Sequence, residues 1–250
     1  MTEKSGPHIS IKAEPVFHIA GFNVTNSLLT SLVVTGFFLA LALYYFYESK
    51  KDKKSRAYYF IHWVLLTIYN LFKSVLGDNA LLFFPWVGTM FLYILLQNWF
   101  GLLPGVGSVL WRTASEHGVE TVPLFRANTA DLNTTLTLGI IAVVLIQYYG
   151  FKHLGVKVHL SKYFNFKGPM DFALGILELI SEASRVLSFS FRLYGNIFAG
   201  EVLIAIVASL IPVLITFPFL LMEIFVGVVQ ALVFSMLTAV FLNVAIHKHE

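Results

Sequence analysis

From Asp171 to Ile211 the chain runs without a proline, in a pattern that is helical throughout. Gly168, Pro169 and Asp171 make a start signal and Pro212 a stop. A helix of that length is about 60 Å long at ~1.5 Å per residue. The hydrocarbon core of a bilayer is only ~30 Å thick, so such a helix must lie strongly tilted or be broken. A second long helix, about 40 Å by the same rise, is expected from Pro218 to Ile246. Two overlong helices joined by a short turn predict an inclined hairpin inside a membrane. Composition agrees: 57% of the residues are hydrophobic and 12% charged, against roughly 25% charged in a soluble domain. The 24 phenylalanines suit lipid-facing and interfacial positions.

The rest of the chain reads as shorter spans. The first is expected from Asn26 to Tyr47, followed by a basic cluster of Lys50, Lys51, Lys53, Lys54 and Arg56. Basic loops face the cytoplasm, which puts the N-terminus outside. Residues 1–23 read as an ordered or semi-ordered extramembrane tail, with no cleaved signal peptide, and 24–250 as one membrane domain. Tyr58–Asn79 is amphipathic. His62, Thr67, Asn70, Lys73, Ser74 and Gly77 share one half of the helical wheel; Ile61, Val64, Leu65, Ile68, Leu71, Phe72, Val75 and Leu76 share the other. It is expected along the membrane surface. Only then do Lys152, Lys157, Lys162 and Lys167, in the loop from Phe151, fall on the same side as the first basic cluster. A second span runs from Phe84 to Leu103, stopped by Pro104 and Gly105, and a third from an Asp131 N-cap to Tyr149. The fold class expected is an all-α integral membrane protein. It has about five membrane-embedded helices, one amphipathic surface helix and a long tilted C-terminal hairpin.

The informative residues are the ionisable ones in that hairpin. Arg192 lies between Phe191 and Leu193, where an arginine costs about 2.5–3.5 kcal/mol by insertion scales. Ser181, Arg185, Ser188, Arg192, Gly195, Asn196 and Ala199 recur at spacings of three and four and share one broad face. The small members would let another helix approach closely. Ordinary helix packing explains the glycine but not the arginine; a partner brought up to a permanent cation is expected to carry a carboxylate. Glu201 points away from this stripe. Glu223 and Gln230 are seven residues apart on the second helix and nearly in line, with Gly227 between them. Buried carboxylates without partners are costly, so Glu201 and Glu223 are expected to face water or each other.

Several chemistries drop out. The chain has no cysteine, which excludes disulfides, zinc–thiolate sites and thiol catalysis. The net charge of +3 resides in loops and reports topology rather than nucleic-acid binding. Gly105-Val-Gly107 is too short for a phosphate loop, and no H-E-x-x-H motif is present. Glu116, His117 and Glu120 could hold a metal, but without recurring ligand spacing a solvated loop is the expected reading. The terminal His247-Lys248-His249-Glu250 run reads as a solvated cytoplasmic tail. No cofactor is expected. No internal repeat supports the alternative of a secondary transporter that binds an anionic substrate at Arg192.

Four stretches resemble one family. Ser190-Phe191-Arg192-Leu193-Tyr194-Gly195-Asn196-Ile197-Phe198-Ala199-Gly200-Glu201 is similar to the signature helix of subunit a of F-type ATP synthases. Gln97 to Gly105 resembles that family's asparagine–glycine–proline–glycine span end. Phe125-Arg126-Ala127-Asn128-Thr129-Ala130-Asp131-Leu132-Asn133-Thr134-Thr135 resembles its next span start, and Gln230-Ala231-Leu232-Val233-Phe234 its last helix. The resemblance implies a proton-conducting stator subunit in a bacterial inner membrane, doing no bond chemistry itself. Its implied partners are a ring of c subunits, the peripheral-stalk b subunits and, indirectly, the catalytic F1 sector. Arg192 would face the ring carboxylate and Gln230 would lie opposite it. Asn196, Glu201 and Glu223 would line the half-channel open to the outside, with Asp131 and Asn133 at its mouth. Glu178, Ser181 and Ser188 would lie near the cytoplasmic half-channel. Many members carry histidine at one of the positions matching Glu201 and Glu223; here both are glutamate, which implies a dicarboxylate or water chain instead.

Overall fold

The computed structural model describes residues 13–19, 22–103, 106, 109–115, 118–161, 163, 168–210 and 216–246. Residues 1–12 of the expected tail, the Pro104–Gly105 and Pro212 stops, Glu116, His117 and the last four residues lie outside them. A short hairpin, β1 (Pro15–Ile19) and β2 (Phe22–Thr25), leads into α1 (Asn26–Ser49). Then come α2 (Arg56–Leu76) and α3 (Ala80–Gly101). A second hairpin, β3 (Leu110–Ser115) and β4 (Gly118–Pro123), precedes α4 (Leu132–Leu154) and the short α5 (Val156–Ser161). The chain closes with α6 (Pro169–Leu210) and α7 (Thr216–Ile246).

Among the described residues, five helical segments are long and apolar enough to cross a membrane: α1, the α2–α3 segment taken together, α4, α6 and α7. The all-α membrane architecture expected from sequence is therefore what the chain adopts. α6 has 42 residues and α7 has 31, so both exceed the ~20 residues that a perpendicular span needs. Pro169 occupies the first turn of α6, where its missing N–H costs nothing, and Asp171 complements the helix dipole there.

The molecule has two ends. At one lies the basic loop between α1 and α2, together with α5, the start of α6 and the end of α7. At the other lie the two hairpins, held together by an edge-on contact of Phe17 with Trp111 at 5.2 Å. α2 starts against α1, where Tyr45 stacks on Tyr58 and its hydroxyl hydrogen-bonds His62 Nδ1 at 2.9 Å. α2 ends against α3 and α7: Tyr69 meets Phe84 edge-on, and Asn243 donates to the Val75 carbonyl. Its buried residues are Tyr58, Ile68, Phe72 and Leu76. The last three lie on the apolar half assigned from the helical wheel, while His62, Thr67, Asn70 and Lys73 are exposed.

The core is built from α3, α4, α6 and α7. Phe189, Leu193 and Ile197 recur every fourth residue on α6 and bury one stripe. Ala231, Phe234, Ala239 and Leu242 are buried on α7, and Phe189 packs on Phe234 at 5.1 Å. Large apolar side chains elsewhere stay exposed, among them Phe37, Phe46, Leu81, Ile140, Leu177 and Phe225. In water such a surface would be untenable; in lipid it is the expected contact.

Polar ties fix the hairpin end. Asn98, 1% exposed, donates from Nδ2 to the Gly227 carbonyl on α7 and accepts from the Thr129 hydroxyl. One amide thus joins α3, α7 and the turn before α4. Replacing Asn98 with leucine would leave the buried Thr129 hydroxyl without its acceptor, at about 1–3 kcal/mol, and would remove the tie to α7. Thermal unfolding of the Asn98→Leu chain in detergent is expected to shift to lower temperature, and an unchanged midpoint would contradict this tie.

Candidate functional site

Arg192 is exposed on α6 and has no hydrogen-bond or ion-pair partner among the described residues. Ser181, Ser188, Gly195, Asn196 and Ala199 are exposed with it, so this part of the stripe read from sequence forms a real outer face. Arg185, expected on the same stripe, does not belong to it. Its guanidinium lies 3.9 Å from the Phe241 ring centroid and donates to both oxygens of Glu182, at 3.0 and 2.9 Å. Spacing alone could not show this; a neighbouring carboxylate three residues earlier and an aromatic on α7 pull the side chain inward.

Behind the stripe, polar groups meet at the α6–α7 contact. Asn196 donates from Nδ2 to Gln230 Oε1 at 2.6 Å. Gln230 is 4% exposed, and its Nε2 finds no partner among the described residues. Gln97 on α3 is fully buried with both amide atoms similarly unmatched. Buried amides left this way are normally met by ordered water.

One step further toward the hairpin end, a cavity of ≈ 260 Å³ opens between α3, α6 and α7. Asn98, Arg126, Ile204, Glu201 and Glu223 are among its walls. Both carboxylates expected in a polar path thus line one space. Glu201 is not left to Glu223, however. Arg126, itself buried, donates from Nε to both Glu201 oxygens at 3.2 and 3.3 Å, and from Nη2 at 3.3 Å. Glu223 is 3% exposed, and its Oε1 has no hydrogen-bond partner among the described residues. Gly200 makes this packing possible: a Cβ there would sit 2.0 Å from the Glu223 carboxyl carbon. Arg126 is the residue whose role sequence reading missed. The available signal was charge: a lone arginine just before a span start supplies what an intramembrane carboxylate needs.

Asp131 and Asn133 lie on another cavity of ≈ 670 Å³, between the starts of α1 and α4. Asp131 caps α4 through the Asn133 N–H and accepts from the Ser27 hydroxyl at 3.0 Å. The cavity is also lined by Ser31, Asn128 and Tyr194, the last only two residues beyond Arg192. Glu178 is half-buried on α6 near the other end of the molecule, about four turns before Arg192. Among the described residues, no group of three or more histidines and acidic side chains could hold a metal ion.

A polytopic helical membrane protein is defined by these features, with two carboxylates lining a cavity among its long apolar helices and, on an outer face, an arginine with no partner among the described residues. The comparisons make that class specific. The family described as ATP synthase A chain matches residues 28–243. ATP synthase subunit a of Legionella pneumophila (strain Paris) is 31% identical over 238 residues, which is 94% of this chain and 92% of that protein. ATP synthase subunit a of Desulforamulus reducens is 32% identical over 243 residues, 91% and 82% of the two chains. The chain belongs to the ATP synthase A chain family, as the four motifs implied, and is a multi-pass membrane protein of the ATP synthase complex.

Proposed function

We propose that this chain is the proton-conducting stator subunit of an F-type ATP synthase, with Arg192 as the fixed charge between two offset half-channels. The observation that carries this is the exposed arginine without a partner among the described residues, on a face of small residues, with a carboxylate-lined cavity further along the same helix toward the hairpin end. A permanent cation there is costly unless another chain brings it an anion. The occupant that fits is a ring of c subunits carrying one carboxylate each.

A ring carboxylate facing lipid must be neutral, because the ionised form is too costly there. Opposite Arg192 the ionised form is favoured. Arginine cannot release its proton at accessible pH, so it acts as a charge and not as a relay. Each arriving site is therefore discharged, and protons cannot run straight from one half-channel to the other. Asn196 and Gln230 hold the α6–α7 contact beside Arg192. Glu201, Glu223 and the cavity they line form the outer half-channel, with Asp131 and Asn133 at a second polar opening. Glu178, Ser181 and Ser188 border the inner one. The hairpin end faces outside and the basic-loop end the cytoplasm, a reading that the lysine distribution supports. The membrane potential supplies about 2.3 kcal/mol per charge per 100 mV, which the offset converts into sideways force on the ring. Peripheral-stalk b subunits would hold the chain against that force.

Because the chain has no cysteine, single-cysteine variants report access cleanly. Ile204→Cys lines the outer cavity and Ser181→Cys lies on the cytoplasmic half of the stripe. In the assembled complex, a membrane-impermeant thiol reagent is expected to label the first only from outside and the second only from the cytoplasm. Labelling of either from both sides would sink the two-channel reading.

A further inference from the structure

At the basic-loop end lies a buried polar cluster that the half-channel reading does not use. His159 on α5 is 4% exposed, and its Nε2 lies 2.6 Å from Gln147 Oε1 on α4. An amide oxygen only accepts, so His159 is the donor in this bond. The Gln147 amide then points its nitrogen at the Tyr163 hydroxyl, 3.0 Å away. The Tyr163 hydroxyl also donates to Gln147 Oε1 at 3.2 Å, so it and His159 meet on the same amide. Burial pushes the Tyr163 phenol above its ordinary range, so it remains a neutral donor.

Two close approaches lock the cluster between α4 and α6. The His159 ring covers Gly150, where a Cβ would lie 2.5 Å from its Cε1. The Tyr163 carbonyl sits on Gly175 of α6, where a Cβ would lie 2.2 Å from it. Gly175, Glu178, Glu182 and Arg185 follow at spacings of three and four, so the face that seats Tyr163 also carries the acidic groups. Glu182, Glu178 and Arg185 all act electrostatically on the Tyr163 phenol. From α4, Phe151 packs on the His159 ring at 4.5 Å, while Lys152 and His153 lie in the last turn of that helix. His159 is thus buried, oriented by an amide and in ring contact with Tyr163 at 5.7 Å, and Tyr163 in turn is seated on the face of α6 that carries the two carboxylates; such an arrangement suits a proton-transfer group.

We propose that His159, oriented by Gln147, is a proton-collecting group at the cytoplasmic mouth, feeding the Glu178–Glu182 face of α6. It rests on the half-channel reading above. The imidazolium gives one proton, through water, to a carboxylate of α6. It becomes neutral imidazole and the carboxylate a carboxylic acid; the imidazole then takes a proton from the cytoplasmic phase. Such a group matters when protons are scarce and little when they are plentiful.

The test is ATP-driven acidification of inverted vesicles holding the whole complex, in which this mouth faces the medium. His159→Gln keeps an amide donor for Gln147, and pumping is normalised to assembled complex. About one unit below the ordinary imidazole value of ~6.5, the variant is expected to pump at the wild-type rate. About two units above it, pumping is expected to fall several-fold and to be restored by free imidazole in the medium. An equal loss at every pH without imidazole rescue would overturn the proposal in favour of a structural role, and no loss at any pH would overturn it outright. Arg192→Ala, run in parallel, separates the two readings. If that variant pumps normally the half-channel reading itself fails, whatever His159 does.

Discussion

Gly195→Leu is expected to leave this chain folded and inserted while reducing proton pumping by more than about tenfold. A glycine inside a helix costs roughly 0.5–1 kcal/mol relative to alanine, so its presence needs a reason. Nothing within the chain supplies one: a Cβ at Gly195 would meet no atom within 4 Å. The bare subunit should tolerate leucine and gain helix stability, which thermal unfolding in detergent would register as an unchanged or raised midpoint. The reason must lie outside the chain. Gly195 and Ala199 stand on the exposed face beside Arg192, and small residues so spaced let a second helix come close. A leucine there would hold the ring away from the arginine. Full pumping by Gly195→Leu would mean that no helix packs closely on this face.

Arg192→Ala should have the larger effect on transport and a small one on the chain. The side chain is exposed and makes no ion pair or hydrogen bond among the described residues, so its loss removes no internal contact. On the proposed function, what disappears is the charge that would keep an arriving ring carboxylate ionised. Removing one partner of a buried ion pair costs about 3–5 kcal/mol, on the order of a hundredfold to several thousandfold in the population of the ionised state. Coupled transport should fall below detection. A proton-filled ring site could then pass the stator without discharging, and passive leak would replace coupling.

The fold was largely legible because lipid simplifies the problem. Where every backbone group must be satisfied internally, only helices remain for spans of this kind, and their ends were marked by Asp131, Pro169 and the lysine clusters. The hairpins β1–β2 and β3–β4 were not foreseen. They lie beyond the apolar spans, where neither length nor periodicity constrains them. The site was legible where it depends on one helix: Arg192, Gly195 and Asn196 share a face by spacing alone. It was not legible where it depends on packing between elements. Arg126 and Glu201 are 75 positions apart, and only the approach of the pre-α4 turn to α6 brings them together. Arg185 fails for the same reason, since Phe241 on α7 decides which way it turns. His159, Gln147 and Tyr163 come from three segments whose individual composition is unremarkable.

Arg192 is the proposed charge that couples ring movement to proton flow. The most direct test of that role is ATP-driven acidification of inverted membrane vesicles, comparing the unaltered chain with Arg192→Ala at equal content of assembled complex. Loss of acidification with the complex intact is the predicted result. Acidification at the unaltered rate would contradict it, and would leave Arg192 as an exposed residue of structure alone.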